Sequence, residues 1–376
     1  MRVQKGFKYD VLIGEEDLCD RQNEIRELLS RARQGRRTVL FAPRRYGKTS
    51  LVKNIVGKQF ARLSRKHLLL GFDFMDAGGM ESIIRRIQYG LSHALSRQMP
   101  VKTFFREIVS HLRGVKISVE SDPVTGTPSA SLSFEKADPE KNLLTLLDAV
   151  GKLAENYRLM LVLDEFQDIA LVPEAEALFR AHLQELEKAS VFILGSKRHL
   201  LNEMFLSANS PLYQYGDEMH LGPINPAEWL PYFRERMNVK RIDIALEEIK
   251  WLTGQLCDVP NSICELGAWI VENTPEKTKL TVSGVKEKLD QLVETKQTFP
   301  YFLQGCTEND KKALKALANE KYVLSPHADS FLKKTGLPKS TVGKIIKKLL
   351  NRGMIEEEWK KGYRISDPLL GFYLNR

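Results

Sequence analysis

Ala42-Pro43-Arg44-Arg45-Tyr46-Gly47-Lys48-Thr49 is the stretch that decides how this chain is read. It matches the phosphate-loop pattern G-x-x-x-x-G-K-[ST] at every fixed position except the first, where alanine stands for glycine. The apolar, β-rich run Thr38-Val39-Leu40-Phe41-Ala42 precedes it, and a helical stretch from Lys48 to about Phe60 follows. Strand, loop and helix in that order are what the chemistry needs. Loop N–H groups and the positive end of the following helix must surround a β-phosphate. Gly47 allows a backbone approach that a side chain would block. On this pattern Ala42 to Thr49 bind the nucleotide, Lys48 bridges the β- and γ-phosphates, and the Thr49 hydroxyl holds Mg²⁺.

Working outward, Leu159-Met160-Leu161-Val162-Leu163 is long and apolar enough for a buried strand, and it ends in Asp164-Glu165. Ligands of parallel α/β sheets bind at the carboxyl ends of the strands. That placement makes Asp164 a second Mg²⁺ ligand and Glu165 the general base that polarises the attacking water. A third run, Val191-Phe192-Ile193-Leu194, leads into Gly195-Ser196-Lys197-Arg198. If it lies parallel to the other two, Ser196 reaches the γ-phosphate as a polar sensor, and Arg198 or Lys197 stabilises developing charge. Further apolar runs at Leu68 to Phe74 and Met219 to Leu221 alternate with helical segments, including Asn23 to Leu29. Such alternation predicts an α/β fold with a mainly parallel sheet covered on both faces.

The chain has 376 residues, 43% of them hydrophobic and 28% charged. This length predicts two or three domains, and the composition excludes disordered, collagenous and coiled-coil classes. No apolar stretch reaches the length of a membrane span, and Met1 to Asp20 lacks the apolar core of a secretory signal, which predicts a cytoplasmic protein with no membrane partner. Cys19, Cys257, Cys264 and Cys306 are scattered, and the histidines stand at none of the usual ligand spacings from them. They support neither a disulfide framework nor a zinc site. The net charge of +9 is concentrated at one end: Tyr301 to Arg376 holds 15 basic and 8 acidic residues. Basicity placed there suits a polyanion such as nucleic acid, or is a solvated lysine-rich surface.

Three domains are expected: a phosphate-loop core over 1–223, a helical lid over 224–300, and a winged helix-turn-helix over 301–376. An inserted β-hairpin near 115–135 flanks the turn Asp122-Pro123-Val124-Thr125-Gly126. In the last domain, helical patterns at Asn309 to Glu320 and Ala328 to Lys334 precede Lys339 to Leu350, an amphipathic recognition helix after the turn Thr335-Gly336-Leu337-Pro338. Met354 to Glu358, the turn Lys360-Lys361-Gly362 and Tyr363 to Ser366 complete a wing. On a DNA-binding reading Ser340, Thr341 and Lys344 face the major groove, with Lys339 at the start of their helix, while Lys347, Lys348, Lys360 and Lys361 contact phosphates. Glu356-Glu357-Glu358 beside the wing would repel phosphate, and a winged helix also packs on nucleotide domains or binds proteins, so a protein partner stays open.

These residues resemble the archaeal ATPase family, a P-loop branch close to the AAA+ and STAND groups. The resemblance covers most of the chain. It rests on Asp20-Arg21-Gln22-Asn23-Glu24-Ile25, on Pro43-Arg44-Arg45-Tyr46-Gly47-Lys48-Thr49-Ser50-Leu51, on Asp164-Glu165-Phe166-Gln167, on Gly195-Ser196, and on the closing Tyr363-Arg364-Ile365-Ser366-Asp367-Pro368. It extends the nucleotide-binding set to Ser50, and to Pro260 as the lid proline near the base. Two departures stand out. Pro211-Leu212-Tyr213-Gln214-Tyr215-Gly216 lacks an arginine the family often carries there, and Cys257-Asp258-Val259-Pro260 lacks a glycine before the proline. The missing arginine argues against fast or oligomer-dependent hydrolysis. The resemblance implies an ATP-binding switch with slow Mg²⁺-dependent turnover that couples ATP or ADP to a DNA-binding winged helix. The alternatives are a signalling or defence switch whose winged helix is autoinhibitory or binds protein, and a nucleotide-gated DNA-binding protein without turnover. A homo-oligomer remains open. Arg44 and Arg45 touch phosphates or pin the loop to neighbouring acids.

Overall fold

The structure is a computed structural model that describes residues 5–98, 115–121, 128–134, 138–358 and 360–376. The Asp122 to Gly126 turn lies outside the described residues. In chain order the strands are β1 (Arg37–Phe41), β2 (His67–Asp73), β3 (Val115–Ser121), β4 (Pro128–Phe134), β5 (Arg158–Asp164), β6 (Ser190–Gly195), β7 (Asp217–His220), β8 (Ile355–Glu358) and β9 (Gly362–Ile365). Five of them form one sheet in the order β2-β5-β6-β1-β7, and every pairing in it is parallel. The continuous apolar strands β5 and β6 sit inside this sheet with nearly every residue buried, whereas the edge strand β2 alternates between buried and half-buried residues. That is the burial a sheet covered on both faces produces at its centre and edge. β3 and β4 pair antiparallel as the expected hairpin.

The chain divides into two compact units. One comprises Gln22–Ala42 and Lys48–Leu221; the other comprises the described residues up to Arg21, Pro43–Gly47 and Gly222–Arg376. The first is the sheet with its helices, its core running from Val39 through Leu161 and Ile193 to Tyr215. Register carries the functional order: Asp73 pairs with Asp164, Leu163 with Ile193, and Phe41 with Gly195. The ends of β2, β5, β6 and β1 therefore lie side by side, and whatever follows them meets at one sheet edge.

The second unit contains the helices Pro226–Met237, Leu246–Gln255, Pro260–Asn273 and Val282–Glu294, then the winged helix. A single buried cluster runs from Ile224 and Trp229 through Leu289 to Val342, Ile346 and Leu369, so the lid helices and the winged helix share a core. The winged helix has helices Glu308–Glu320, Asp329–Thr335 and Lys339–Asn351, with β8 and β9 as the wing. Val342, Ile345, Ile346 and Leu349 of the recognition helix are buried while Lys344 and Lys347 are exposed, as the amphipathic pattern requires.

Candidate nucleotide site and the loop that leads to it

Within the sheet unit, the helix after the loop begins as a π-helix over Ser50–Gly57 and places Lys48 and Thr49 at its start. Both reach the acids that end β5. Thr49 Oγ1 donates to Asp164 Oδ2 at 2.5 Å, and Lys48 Nζ lies 2.5 Å from Glu165 Oε1. Ser196, just past β6, donates its hydroxyl to Glu165 Oε2 at 2.8 Å and its N–H at 3.3 Å. Five polar residues from three points in the sequence thus form one connected group.

Burial sets the electrostatics of this group. The Asp164 carboxyl is pushed above its ordinary range by burial, which outweighs the Lys48 charge and the Thr49 hydroxyl. For Glu165 burial acts the same way, but the Lys48 ammonium and the hydrogen bonds from Lys48, Gln167 and Ser196 prevail and hold its pKa at about 2. The residue itself adopts a left-handed backbone, φ 48°, and its side chain reaches Lys48. The adjacent Thr49 hydroxyl and Asp164 carboxylate are hard oxygen donors, the chemistry Mg²⁺ selects.

The two basic candidates after β6 are placed differently. Lys197 is engaged with the buried Asp168 at 2.7 Å, and Arg198 sits with its guanidinium 5.9 Å from the Phe41 ring centroid. Gln167 belongs to the Asp164-Glu165-Phe166-Gln167 string of the resemblance, which assigns it no role, and Asp168 has no signal in the sequence beyond its place after that string.

Within the second unit the loop residues 43–47 meet the wing. The Arg44 N–H donates to Glu356 Oε2 at 3.1 Å, and Arg45 Nη1 pairs with Asp367 Oδ2 at 3.0 Å. Tyr46 donates to the Cys257 carbonyl at 3.4 Å, and the Asn261 N–H, one residue past Pro260, reaches the Arg45 carbonyl at 3.4 Å. Arg45 is thus paired with an acid outside the loop. Glu356 and Glu358 do not form a repulsive surface beside the wing, contrary to expectation. Both side chains are 7% exposed and both pair with the fully buried Arg364. Burial pushes the Glu356 carboxyl up, against the opposing Arg364 charge and Arg44 N–H.

The expected DNA contacts also divide. Lys339, Ser340, Lys344, Lys347 and Lys360 are exposed, and Thr341 is half-buried. Lys348, exposed, and Lys361, half-buried, are each paired with a carboxylate of this chain. Lys348 binds the buried Asp310 at 2.5 Å, and Lys361 binds Glu358 at 2.8 Å with its ammonium 4.8 Å from the Tyr322 ring centroid. In each case a buried carboxylate near the helix or strand needs a counterion, and that lysine supplies it.

A five-stranded parallel sheet with a phosphate loop after β1, paired acids after β5 and a polar residue after β6 defines the α/β P-loop ATPase fold, carrying a C-terminal winged helix. Residues 297–376 match the model of a family described as a probable winged helix domain. No curated protein matches the sequence. Among solved structures, the chain is similar to the Walker-type ATPase of Pyrococcus abyssi, at 20% identity and a TM-score of 0.65, covering 98% of this chain and 99% of that one. It is also similar to the Aeropyrum pernix ORC2 protein, solved in ADPNP–ADP complexes, at 15% identity and TM-score 0.53 over 98% and 94%. The Aeropyrum pernix ORC1 protein, solved in complex with DNA, aligns at 12% identity and TM-score 0.51 over 95% and 92%. The archaeal ATPase resemblance read from the motifs therefore holds at the level of the fold.

Proposed function

We propose that the protein is a cytoplasmic ATP-binding switch with slow Mg²⁺-dependent hydrolysis, whose nucleotide state is transmitted to a DNA-binding winged helix. The observation that carries the reading is the linked group Lys48–Glu165–Ser196 and Thr49–Asp164 at one sheet edge. Lys48 pairs with Glu165. Bound phosphates compete for its ammonium, and Thr49 with Asp164 would hold Mg²⁺, which neutralises charge on the β- and γ-oxygens. Release from Lys48 removes the charge that keeps Glu165 so acidic, and its proton affinity rises toward what a base requires. Water then attacks the γ-phosphorus, its proton passes to Glu165, and the bond to the ADP oxygen breaks. Ser196 holds the Glu165 carboxylate from the other side. Ala42, Pro43, Arg44, Arg45, Tyr46, Gly47 and Ser50 would complete the loop around the phosphates. Pro260 would meet the base, as the family resemblance implies, and Arg198 would add positive charge beside Ser196.

Transmission is supported by the grip of Glu356 on the Arg44 N–H and of Asp367 on Arg45. An N–H that a phosphate would use is held by a wing side chain, so nucleotide and wing compete for it. The same contacts favour a second reading, in which the winged helix restrains the loop until a protein partner releases it. In the first reading Ser340, Thr341 and Lys344 enter the major groove while Lys339, Lys347 and Lys360 meet phosphates. ATP hydrolysis by the wild type and by Glu165→Gln, with and without duplex DNA at two salt concentrations, separates the two. A rate raised by DNA, lowered by salt and abolished by Glu165→Gln supports the DNA switch. Binding of ATP with no turnover under any condition ends the enzyme claim.

A further inference from the structure

Gln167 is completely buried, yet it is an amide among Phe166, Ile169 and the end of β6. Its Nε2 donates to Glu165 Oε2 at 2.8 Å and lies 3.3 Å from Asp168 Oδ1. With two carboxylates on that side, the amide orientation follows from the network: the nitrogen faces them and the oxygen faces away. The oxygen has no hydrogen-bond partner. It lies where a side chain of Gly195 would otherwise be, since a Cβ added at Gly195 would come within 2.2 Å of it. The neighbouring Asp168 is itself fixed, by Lys197 on Oδ1 at 2.7 Å and by the Asp76 N–H on Oδ2 at 2.9 Å.

A buried amide oxygen without a partner costs stability, and an apolar side chain of similar volume would avoid that cost. The feature that accounts for glutamine at this position is the N–H donated to Glu165. We infer that Gln167 is a positioning residue, which with Ser196 fixes the orientation of the Glu165 carboxylate once Lys48 has turned to the phosphates. The two donors meet Glu165 on the same oxygen, Oε2, so Oε1 is the oxygen that Lys48 vacates. Without Gln167 the carboxylate keeps one anchor and rotates. This inference rests on the assignment of Glu165 as the base.

The test uses the full chain with Gln167→Met, which keeps an unbranched side chain of similar size, and Gln167→Leu beside it. Steady-state ATP hydrolysis, equilibrium binding of a fluorescent ATP analogue and thermal melting are measured for both, and again in a Glu165→Gln background. The expected result is a fall in kcat of about ten- to a hundredfold, the scale of a misplaced catalytic group. KM, analogue affinity and melting temperature stay unchanged or the melting temperature rises, and neither substitution lowers the residual rate further once Glu165 is glutamine. Unchanged kcat in Gln167→Met overturns the inference, as does a loss of analogue binding and melting temperature in parallel, or failure of both variants to fold. If the wild type shows no turnover, or Glu165→Gln keeps it, the base assignment itself has failed. If Glu165→Gln abolishes turnover and Gln167→Met leaves it intact, only the role of Gln167 is lost.

Discussion

Replacing Arg364 with methionine removes a charge while nearly keeping the volume, and the wing makes the consequence calculable. Arg364 is directly opposite Glu356 across the β8–β9 ladder. Its side chain is 0% exposed, its Nε lies 3.0 Å from Glu358 Oε2, and its Nη1 donates to the Ile365 carbonyl at 2.9 Å. Removing one member of a buried ion pair costs about 3–5 kcal/mol, because the remaining charge is left uncompensated. Here two carboxylates remain, but Glu356 keeps the Arg44 N–H and Glu358 keeps Lys361, so the lower end, about 3 kcal/mol, is expected. Against a net stability of about 5–15 kcal/mol this is a large fraction.

The sign with pH is also fixed. Burial already raises the Glu356 pKa, and loss of Arg364 raises it further. An acid whose folded pKa lies above its unfolded value favours folding at low pH and loses stability as pH rises through that window. The deficit of the variant is therefore largest near neutrality and shrinks on acidification. All four tryptophans, Trp229, Trp251, Trp269 and Trp359, fall within the lid and winged-helix segment, so urea unfolding followed by tryptophan emission reports that unit. An unchanged midpoint near neutrality, or a deficit that grows as pH falls, would refute this account of the wing.

Lys48→Ala is expected to abolish analogue binding and to leave Glu165 without its main counterion. Because Glu165 is held at about 2, its pairing stabilises the fold fully above the ordinary carboxylate pKa, and that contribution is lost as pH falls from there through about 2. Acid unfolding of Lys48→Ala followed by circular dichroism should accordingly show a shallower dependence on pH in that range. Neutralising Lys339, Lys344 and Lys347 should weaken duplex binding and reduce its logarithmic salt slope by about 0.9 for each phosphate no longer neutralised, read by fluorescence anisotropy. Lys348→Gln should instead leave the slope alone and lower the melting temperature, because Lys348 serves the buried Asp310. Thr307→Ala should cost about 1 kcal/mol by removing the hydroxyl that caps the Asp310 N–H, with no effect on nucleotide affinity measured in parallel.

What can be read from the sequence follows how locally each feature is encoded. β5 and β6 announce themselves as apolar runs because both their faces are buried. β7 is faint because Asp217-Glu218-Met219-His220 is an edge strand with a single buried residue. Lys48, Thr49, Asp164, Glu165 and Ser196 are legible because each closes or opens an element whose type is set locally, and parallel register then aligns them. The wing misleads for the opposite reason. Three consecutive glutamates look like a surface charge run, since the alternation that buries Glu356 and Glu358 and leaves Glu357 half-buried is invisible when all three residues are the same. Only the cross-strand partner Arg364 distinguishes them. Lys344 and Lys348 likewise occupy the same helix, and what separates them is an aspartate 38 positions away from Lys348.

The conformation of the phosphate loop is the remaining step from structure to switching. Arg45 has φ 64°, a left-handed backbone uncommon outside glycine, and it precedes Gly47 at φ 80°. Its guanidinium is tied to Asp367 and its carbonyl accepts the Asn261 N–H, so the strained residue is held from the wing side and from the lid helix. A ligand that requires a different loop geometry must break those contacts, and a wing that shifts must release the loop. Coupling of this kind is reciprocal: if ATP changes duplex affinity by some factor, duplex changes ATP affinity by the same factor. Arg45→Gln removes the pair with Asp367 while leaving the Asp367 cap on the last helix intact. The expected outcome is that the ratio of duplex affinities in ATP and ADP falls toward one, measured by anisotropy in the two nucleotides, with the ratio of ATP affinities with and without duplex falling equally. A wild-type ratio of one, or a ratio untouched by Arg45→Gln, would mean that the grip on the loop carries no signal.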